Sequence, residues 1–188
     1  MDPMTLLPQS RPLTRADLDA VRAKGSDDGH RYELIDGVLV VTPSPSIPHQ
    51  EVSFRLSMLL GQACPAGLTV LYAPVDVALG DDTVMQPDLL VARRADFTHH
   101  DLPVAPLLAV EILSPSTRRF DLTLKRSRFE AAGVASYWVV DPIELSLTAW
   151  DLEDGHYVEV ACVRGDETFS SARPFPVDIV PARLRADP

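Results

Sequence analysis

The pattern of hydrophobic and polar positions contains two short apolar runs, residues 84–92 and 106–114, that each hold one carboxylate. Runs rich in Val, Ile and Leu between turn residues predict strands that are buried on both faces. Asp88 lies in the first run and Glu111 in the second. An ionised carboxylate in a buried strand is costly unless it is paired, hydrogen-bonded or bound to a metal. The pattern therefore indicates a functional site.

Helices and strands alternate along the rest of the chain. Asp36-Gly37 between apolar segments predicts a β-hairpin over residues 32–41. Capping signals and apolar residues at helical spacing predict three helices, over residues 13–24, 49–64 and 121–132. Further strands are predicted at 68–72, 75–79, 135–140, 145–151 and 156–163. The expected architecture is an α/β domain with a mixed central sheet flanked by helices, an added N-terminal hairpin and C-terminal strands.

Length and composition limit the possible organisation and function. The 188 residues are 46% hydrophobic and predict one domain over residues 13–180, after a flexible arm (1–12) and before a tail (181–188). A net charge of −10 argues against broad, non-specific nucleic-acid binding. No run is long enough for a membrane span, and two cysteines without metal spacing favour a cytoplasmic protein. The chain has no Gly-x-Ser-x-Gly motif, which argues against a serine hydrolase.

The helix predicted after Glu111 carries a lysine on its apolar side. At 100° per residue Leu122, Phe129 and Ala132 define the apolar face of this helix, and Lys125 falls between them, on the side that should pack on the sheet. A lysine in that position either extends to the rim of the domain or directs its ammonium at the buried carboxylates. The second arrangement would relieve the buried negative charge.

The order of these residues resembles a known class of enzymes. Pro87-Asp88, then Glu111, then a lysine is similar to the PD-(D/E)xK nuclease superfamily. More narrowly, residues 30–142 resemble a bacterial family of restriction-endonuclease-like proteins. The landmarks that carry this resemblance are Tyr32-Glu33-Leu34-Ile35-Asp36-Gly37, Pro43-Ser44-Pro45 with His49, Gln86-Pro87-Asp88, Val110-Glu111-Ile112-Leu113-Ser114-Pro115-Ser116-Thr117, Asp121 with Lys125, and Gly133-Val134 running to Tyr137-Trp138-Val139-Val140-Asp141-Pro142.

The resemblance implies a metal-dependent nuclease with a restriction-endonuclease-like core. Asp88 and Glu111 would bind Mg²⁺ or Mn²⁺, and the substrate would be nucleic acid, with DNA favoured. The superfamily lysine lies two residues after the second acid, where this chain has Leu113, so the resemblance implies that Lys125 takes its place. It also implies the backbone carbonyl of Ile112 as a metal ligand and Glu33 as an additional acid.

Several residues keep two interpretations at this stage. Glu33 is either a site acid or an exposed strand residue. His49 is either a site residue or a loop and capping residue. Gln86 is either a hydrogen-bond donor to the site or a polar residue of an edge strand. Asp121 is expected to support the site. A group of arginines forms either a phosphate-contacting patch or a solvated face with ion pairs to Asp121 and Glu130; its members are Arg118, Arg119, Arg126 and Arg128.

A second function, without catalysis, is the alternative to a nuclease. A catalytically inactive relative would use the same fold to bind nucleic acid or protein. Restriction-like enzymes often act as dimers, so a homodimer is one expected assembly.

Overall fold

The computed structural model describes residues 5–6, 11–25, 29–115 and 117–185, and it shows an α/β architecture with mixed sheets. Its helices are α1 (Arg15–Gly25), α2 (Ile47–Ala63) and a third helix, α3, over residues 118–131. The strands, in chain order, are β1 (Thr5–Leu6), β2 (Arg31–Ile35), β3 (Val38–Thr42), β4 (Leu68–Tyr72), β5 (Asp76–Ala78), β6 (Val84–Met85), β7 (Leu89–Arg93), β8 (Asp101–Leu102), β9 (Leu108–Ile112), β10 (Ser136–Asp141), β11 (Ser146–Glu153), β12 (His156–Arg164), β13 (Phe169–Ser171) and β14 (Val177–Ile179).

The strands form two six-stranded sheets and one small pair. The N-terminal sheet has the order β1-β3-β2-β6-β5-β8, and the central sheet has the order β12-β11-β10-β9-β7-β4. The central sheet is mixed, because β9 pairs parallel with β10 and antiparallel with β7. Strands β13 and β14, which the sequence analysis did not predict, pair with each other. The predicted fold class is confirmed, with an N-terminal sheet larger than a hairpin.

The central sheet separates two apolar layers. One face packs against the buried side of α2 through alternate residues, namely Leu89, Val91, Leu108, Val110, Ile112, Trp138, Val140, Leu147 and Ala149. On the other face Ala109 and Tyr137 pack with Phe129 of α3 and Met85 of the N-terminal sheet. Side chains two residues apart on a strand share a face, so Glu111 points into this second layer, as Ala109 does.

The apolar run 84–92 was expected to form one buried strand, but it contains two strands, β6 and β7. It is buried throughout, but β6 belongs to the N-terminal sheet and β7 to the central sheet. The chain crosses between the sheets at Gln86-Pro87-Asp88, where Pro87 has no N–H for ladder pairing. Asp88 therefore lies at the junction of the two sheets and not within a strand.

The predicted domain limits need one correction. The helical turn Pro181–Leu184 lies in the segment predicted as a tail, yet Leu184 is fully buried and belongs to the main core, so the domain reaches at least this turn. Within the predicted arm, Thr5–Leu6 pairs with β3, while residues 1–4 and 7–10 lie outside the described residues. No helix in the described part of the chain is long and apolar enough to cross a membrane.

Candidate active site

The antiparallel register of β7 and β9 brings the two predicted carboxylates together. Leu89 pairs with Val110 and Leu90 with Ala109, so the next position in this register sets Asp88 opposite Glu111. Both side chains line one pocket, which is closed on one side by the loop 43–46 and on another by α3. The two acids that lie 23 positions apart in sequence thus meet at one end of the central sheet.

Asp88 is 4% exposed and accepts hydrogen bonds from three different residues. Its Oδ1 accepts from Arg31 Nη1 at 2.9 Å, and its Oδ2 accepts from the Ile112 backbone N–H at 2.8 Å and lies 3.0 Å from His49 Nε2. Burial alone raises the pKa of Asp88, but the hydrogen bond from His49 and the charge of Arg31 outweigh it. The pKa is therefore held well below its ordinary value, and Asp88 is ionised at neutral pH.

Lys125 directs its ammonium at the carboxylates, which is the second of the two arrangements that the sequence allowed. Its Nζ lies 2.9 Å from Glu33 Oε1 and 3.2 Å from Glu111 Oε1. Burial lowers the pKa of Lys125, but the charges of Glu111 and Glu33 raise it by more, so the lysine stays protonated. Burial raises the pKa of Glu111 well above its ordinary value, an effect that Lys125 only partly offsets.

Glu33 is a buried residue of the site and not an exposed strand residue. It is 1% exposed, and its Oε1 also accepts the backbone N–H of Gln86 at 2.7 Å. The N–H of Gln86 thus fixes Glu33, while the Gln86 side chain turns away and donates from Nε2 to Asp76 Oδ1 at 2.8 Å. Gln86 therefore supports the site through its backbone, at the crossing between the sheets.

Asp121 and Lys125 lie at the two ends of a π-helical turn within α3, Asp121–Lys125, between the α-helical segments Arg118–Phe120 and Arg126–Ala131. Such turns are frequent at functional sites. The Tyr137 hydroxyl donates to the Asp121 carbonyl at 2.9 Å and anchors the turn. Burial raises the pKa of Asp121 to about 6, although Lys125 and a hydrogen bond from Thr117 oppose the shift.

Arg31 completes the site, although the pattern of the sequence does not single it out. Its guanidinium contacts Asp88 and is 21% exposed, whereas the side chains of Asp88 and Lys125 are nearly enclosed. A signal was present, because Arg31 and Glu33 are two residues apart on β2 and share one face of that strand. The signal could not be interpreted without knowing which face of the hairpin meets Asp88.

His49 lies at the start of α2 and lines the pocket beside Asp88. It lies in the first turn of α2, after Ser46 at the N-cap and Pro48, and its side chain is buried against Asp88. Its Nδ1 is buried without a hydrogen-bond partner among the described residues.

The four arginines of the predicted patch lie outside the pocket. Arg118 pairs with Asp141, the Arg126 guanidinium lies 5.0 Å from the centre of the Trp150 ring, and Arg119 is exposed. Arg118 and Arg128 thus have ion pairs, as in the solvated-face interpretation, but with Asp141 and Asp36 instead of Asp121 and Glu130. Their contact with nucleic acid stays a prediction.

The pocket is lined by more carboxyl groups than cations. Four carboxylates line it, from Glu33, Asp88, Glu111 and Asp121, against the two cations Arg31 and Lys125 and the imidazole of His49. Oxygen donors in such excess match the ligand preference of Mg²⁺ and Mn²⁺. No group of three or more His, Cys, Asp and Glu side chains in the described ranges is arranged to enclose a metal ion. A metal ion in this pocket would therefore be held by no more than one or two carboxylates and would keep several waters, as Mg²⁺ commonly does.

Comparison with known proteins agrees with this fold. A family model, Uma2, described as "Putative restriction endonuclease", matches residues 17–185, so the chain belongs to this family. The match confirms the family resemblance seen in the sequence. No curated protein is significantly similar in sequence.

A solved structure shares the architecture. It is the 1.96 Å crystal structure of a "putative nuclease belonging to DUF820" from Anabaena variabilis ATCC 29413. The TM-score is 0.66 at 18% sequence identity, and the similarity covers 85% of this chain and 89% of the other. At this identity the similarity establishes the fold alone.

Proposed function

We propose that this protein is a metal-dependent nuclease that hydrolyses phosphodiester bonds in DNA. The observation that carries the proposal is the position of Lys125, whose ammonium lies between Glu111 and Glu33 in the pocket that Asp88 also lines. A buried lysine thus lies among carboxylates at one end of the central sheet. The same residues give the order of acid, acid and lysine that the sequence shares with PD-(D/E)xK nucleases. The description of the Uma2 family as restriction endonucleases supports the same activity.

Asp88, Glu111 and the Ile112 carbonyl would hold Mg²⁺ or Mn²⁺, with Glu33 as an additional acid beside them. When bound, such an ion lowers the pKa of its water and stabilises the charge that develops on the phosphate. Asp88 suits this role because it is ionised at neutral pH.

Lys125 acts as a fixed cation in this proposal and not as a base. Its pKa is raised by Glu111 and Glu33 despite burial, so it keeps its proton at neutral pH. A protonated lysine positions the attacking water by hydrogen bonding and stabilises the negative charge of the transition state.

The activity is tested by incubating purified protein with supercoiled plasmid and Mn²⁺. We expect nicking by the wild-type chain and its loss in the Asp88→Ala variant, because the metal would lose an ionised ligand. Asp178→Ala removes an exposed aspartate in β14 and is the matched control. If the Asp88→Ala variant nicks plasmid as well as the wild type does, the proposed metal-dependent nuclease site is wrong.

One observation favours the alternative, a binding module without catalysis. Asp88 already accepts hydrogen bonds from Arg31, Ile112 and His49, so its contacts are largely satisfied within the protein. A chain that binds nucleic acid but fails to nick plasmid with either ion would support this second function. Location in the cytoplasm and a homodimeric assembly stay predictions.

A further inference from the structure

A second groove opens directly beside the candidate active site. One wall is a single face of α2, where positions 50, 53, 54 and 57 recur at helical spacing, and the other wall is the end of β4. The groove meets the active-site pocket at Arg31, His49 and Asp88, which line both. We call it the α2 groove; its other lining residues are Pro45, Gln50, Ser53, Phe54, Ser57, Tyr72 and Ala73.

Two exposed aromatic side chains line this groove. Phe54 and Tyr72 are each 65% exposed, and every other Phe, Tyr and Trp, all of them in the described part of the chain, is buried or half-buried. A single exposed apolar residue needs no explanation, but two rings lining one groove next to a reactive site indicate a binding surface. Aromatic rings on such surfaces offer flat faces on which other rings stack.

The backbone fixes both rings close to Asp88. Tyr72 pairs with Leu89, the residue that follows Asp88, and the Ala73 N–H donates to the Asp88 carbonyl at 2.9 Å. Phe54 lies on the same helix as His49, whose imidazole contacts Asp88. A ligand that stacks on these rings would therefore extend into the active-site pocket.

The charge of the protein limits how it can hold a polyanion. With a net charge of −10, sequence-independent attraction to phosphates is weak. Stacking of bases on aromatic rings depends little on charge and adds binding free energy for each unpaired base. Arg31, at the junction of the two cavities and 21% exposed, supplies a cation where the backbone would pass from the groove to the site.

We propose that the α2 groove binds unpaired bases of single-stranded DNA, next to the phosphodiester bond that the site acts on. This inference rests on the proposed nuclease function for the identity of the polymer. A base in an intact duplex is stacked on its neighbours and cannot enter, so the groove selects single strands or locally opened stretches of a duplex. Phe54 and Tyr72 are binding residues in this proposal.

The test measures binding in EDTA, so that it depends on neither metal nor cleavage. Fluorescence anisotropy compares three labelled ligands of equal length: a 12-nucleotide oligothymidylate, the same backbone with abasic sites, and a 12-base-pair duplex. We expect the oligothymidylate to bind at least fivefold more tightly than the other two, because only it presents unpaired bases.

Variants locate the binding to the groove. Phe54→Ala and Tyr72→Ala should each weaken oligothymidylate binding by about fivefold to a hundredfold, the range for loss of one stacked base. Neither should change binding of the abasic ligand. Phe54→Trp and Tyr72→Phe keep a ring and should keep the affinity. Met58→Ala removes another exposed apolar side chain of α2 that does not line the groove, and it should have no effect.

Equal binding of the oligothymidylate and the abasic ligand would overturn the proposal, and so would an equal loss in Met58→Ala. Sedimentation velocity tests the competing occupant, a second copy of the chain. If Phe54→Ala converts a dimer to monomer and leaves oligothymidylate binding unchanged, the groove is a self-interface and the proposal is wrong. If binding depends on the two rings but the chain cleaves neither plasmid nor single-stranded DNA with Mn²⁺, the groove proposal stands and the proposed nuclease function is wrong.

Discussion

Asp121 shows most clearly how burial acts on a single residue of this site. Its side chain is buried at one end of the π-helical turn of α3, and burial raises its pKa to about 6. A carboxyl group whose pKa is higher in the folded than in the unfolded chain destabilises the fold once it ionises. The contribution of Asp121 to the unfolding free energy should therefore decrease as pH rises from 3.8 to about 6.

Asp121→Asn removes that ionisation while keeping an oxygen that can accept from Thr117. We expect the variant to be more stable than the wild type at pH 8, by up to about 3 kcal/mol, because two pKa units correspond to that free energy. The gain should vanish near pH 4, where Asp121 is protonated. Urea unfolding at both pH values checks the prediction, and a gain of equal size at pH 4 would exclude ionisation as its cause.

At the scale of elements, the β2–β3 hairpin and α3 must be held together for Glu33 to reach Lys125. Asp36 in the hairpin turn pairs with Arg128 of α3, with distances of 2.5–2.8 Å. The turn has positive φ at Asp36 (52°) and at Gly37 (74°), which fits a two-residue hairpin turn. A Cβ at Gly37 would lie 2.7 Å from Pro12 Cβ, so the turn also packs closely against the segment before α1.

Gly37→Ala should therefore destabilise the protein more than Gly155→Ala. Gly155 lies in the Asp154-Gly155 turn between β11 and β12 with a φ of 85°, but a Cβ there meets no atom within 4 Å. Gly155→Ala should cost about 1 kcal/mol from backbone strain alone, and Gly37→Ala at least about 2 kcal/mol. Denaturant unfolding of both variants measures the difference; equal losses would show that Pro12 moves aside at no cost.

At the scale of the whole molecule, excess negative charge is concentrated where the two sheets and α3 meet. The acidic chain places four carboxylates around two buried or half-buried cations in one pocket. Binding of a divalent cation to the folded state alone would stabilise the fold by mass action.

Mg²⁺ should therefore raise the melting temperature of the wild-type chain. At a hundredfold excess over the dissociation constant the gain is about 2.7 kcal/mol, or roughly 5–10 °C for a domain of this size. Differential scanning fluorimetry with MgCl₂ tests this, against NaCl of matched ionic strength. The shift should be lost with EDTA and reduced in Glu111→Gln; a shift of equal size in that variant would place the bound ion elsewhere.

The sequence alone determined the class of fold, most element positions and the family. Apolar periodicity and turn residues act locally, so the helices, the Asp36-Gly37 hairpin and the buried carboxylate runs could be identified from neighbouring positions. The helical face of Lys125 was also local information, although its two possible directions were not resolved.

Only the tertiary structure decided which residues form the site. It brought Arg31 to Asp88, buried Glu33 beside Lys125 and split the run at 84–92 between two sheets. It also placed Phe54 and Tyr72 on the two walls of one groove. These contacts join residues that are distant in sequence, and they depend on strand register and on which faces pack together. Hydrophobic patterning constrains each strand separately, so it leaves these pairings open.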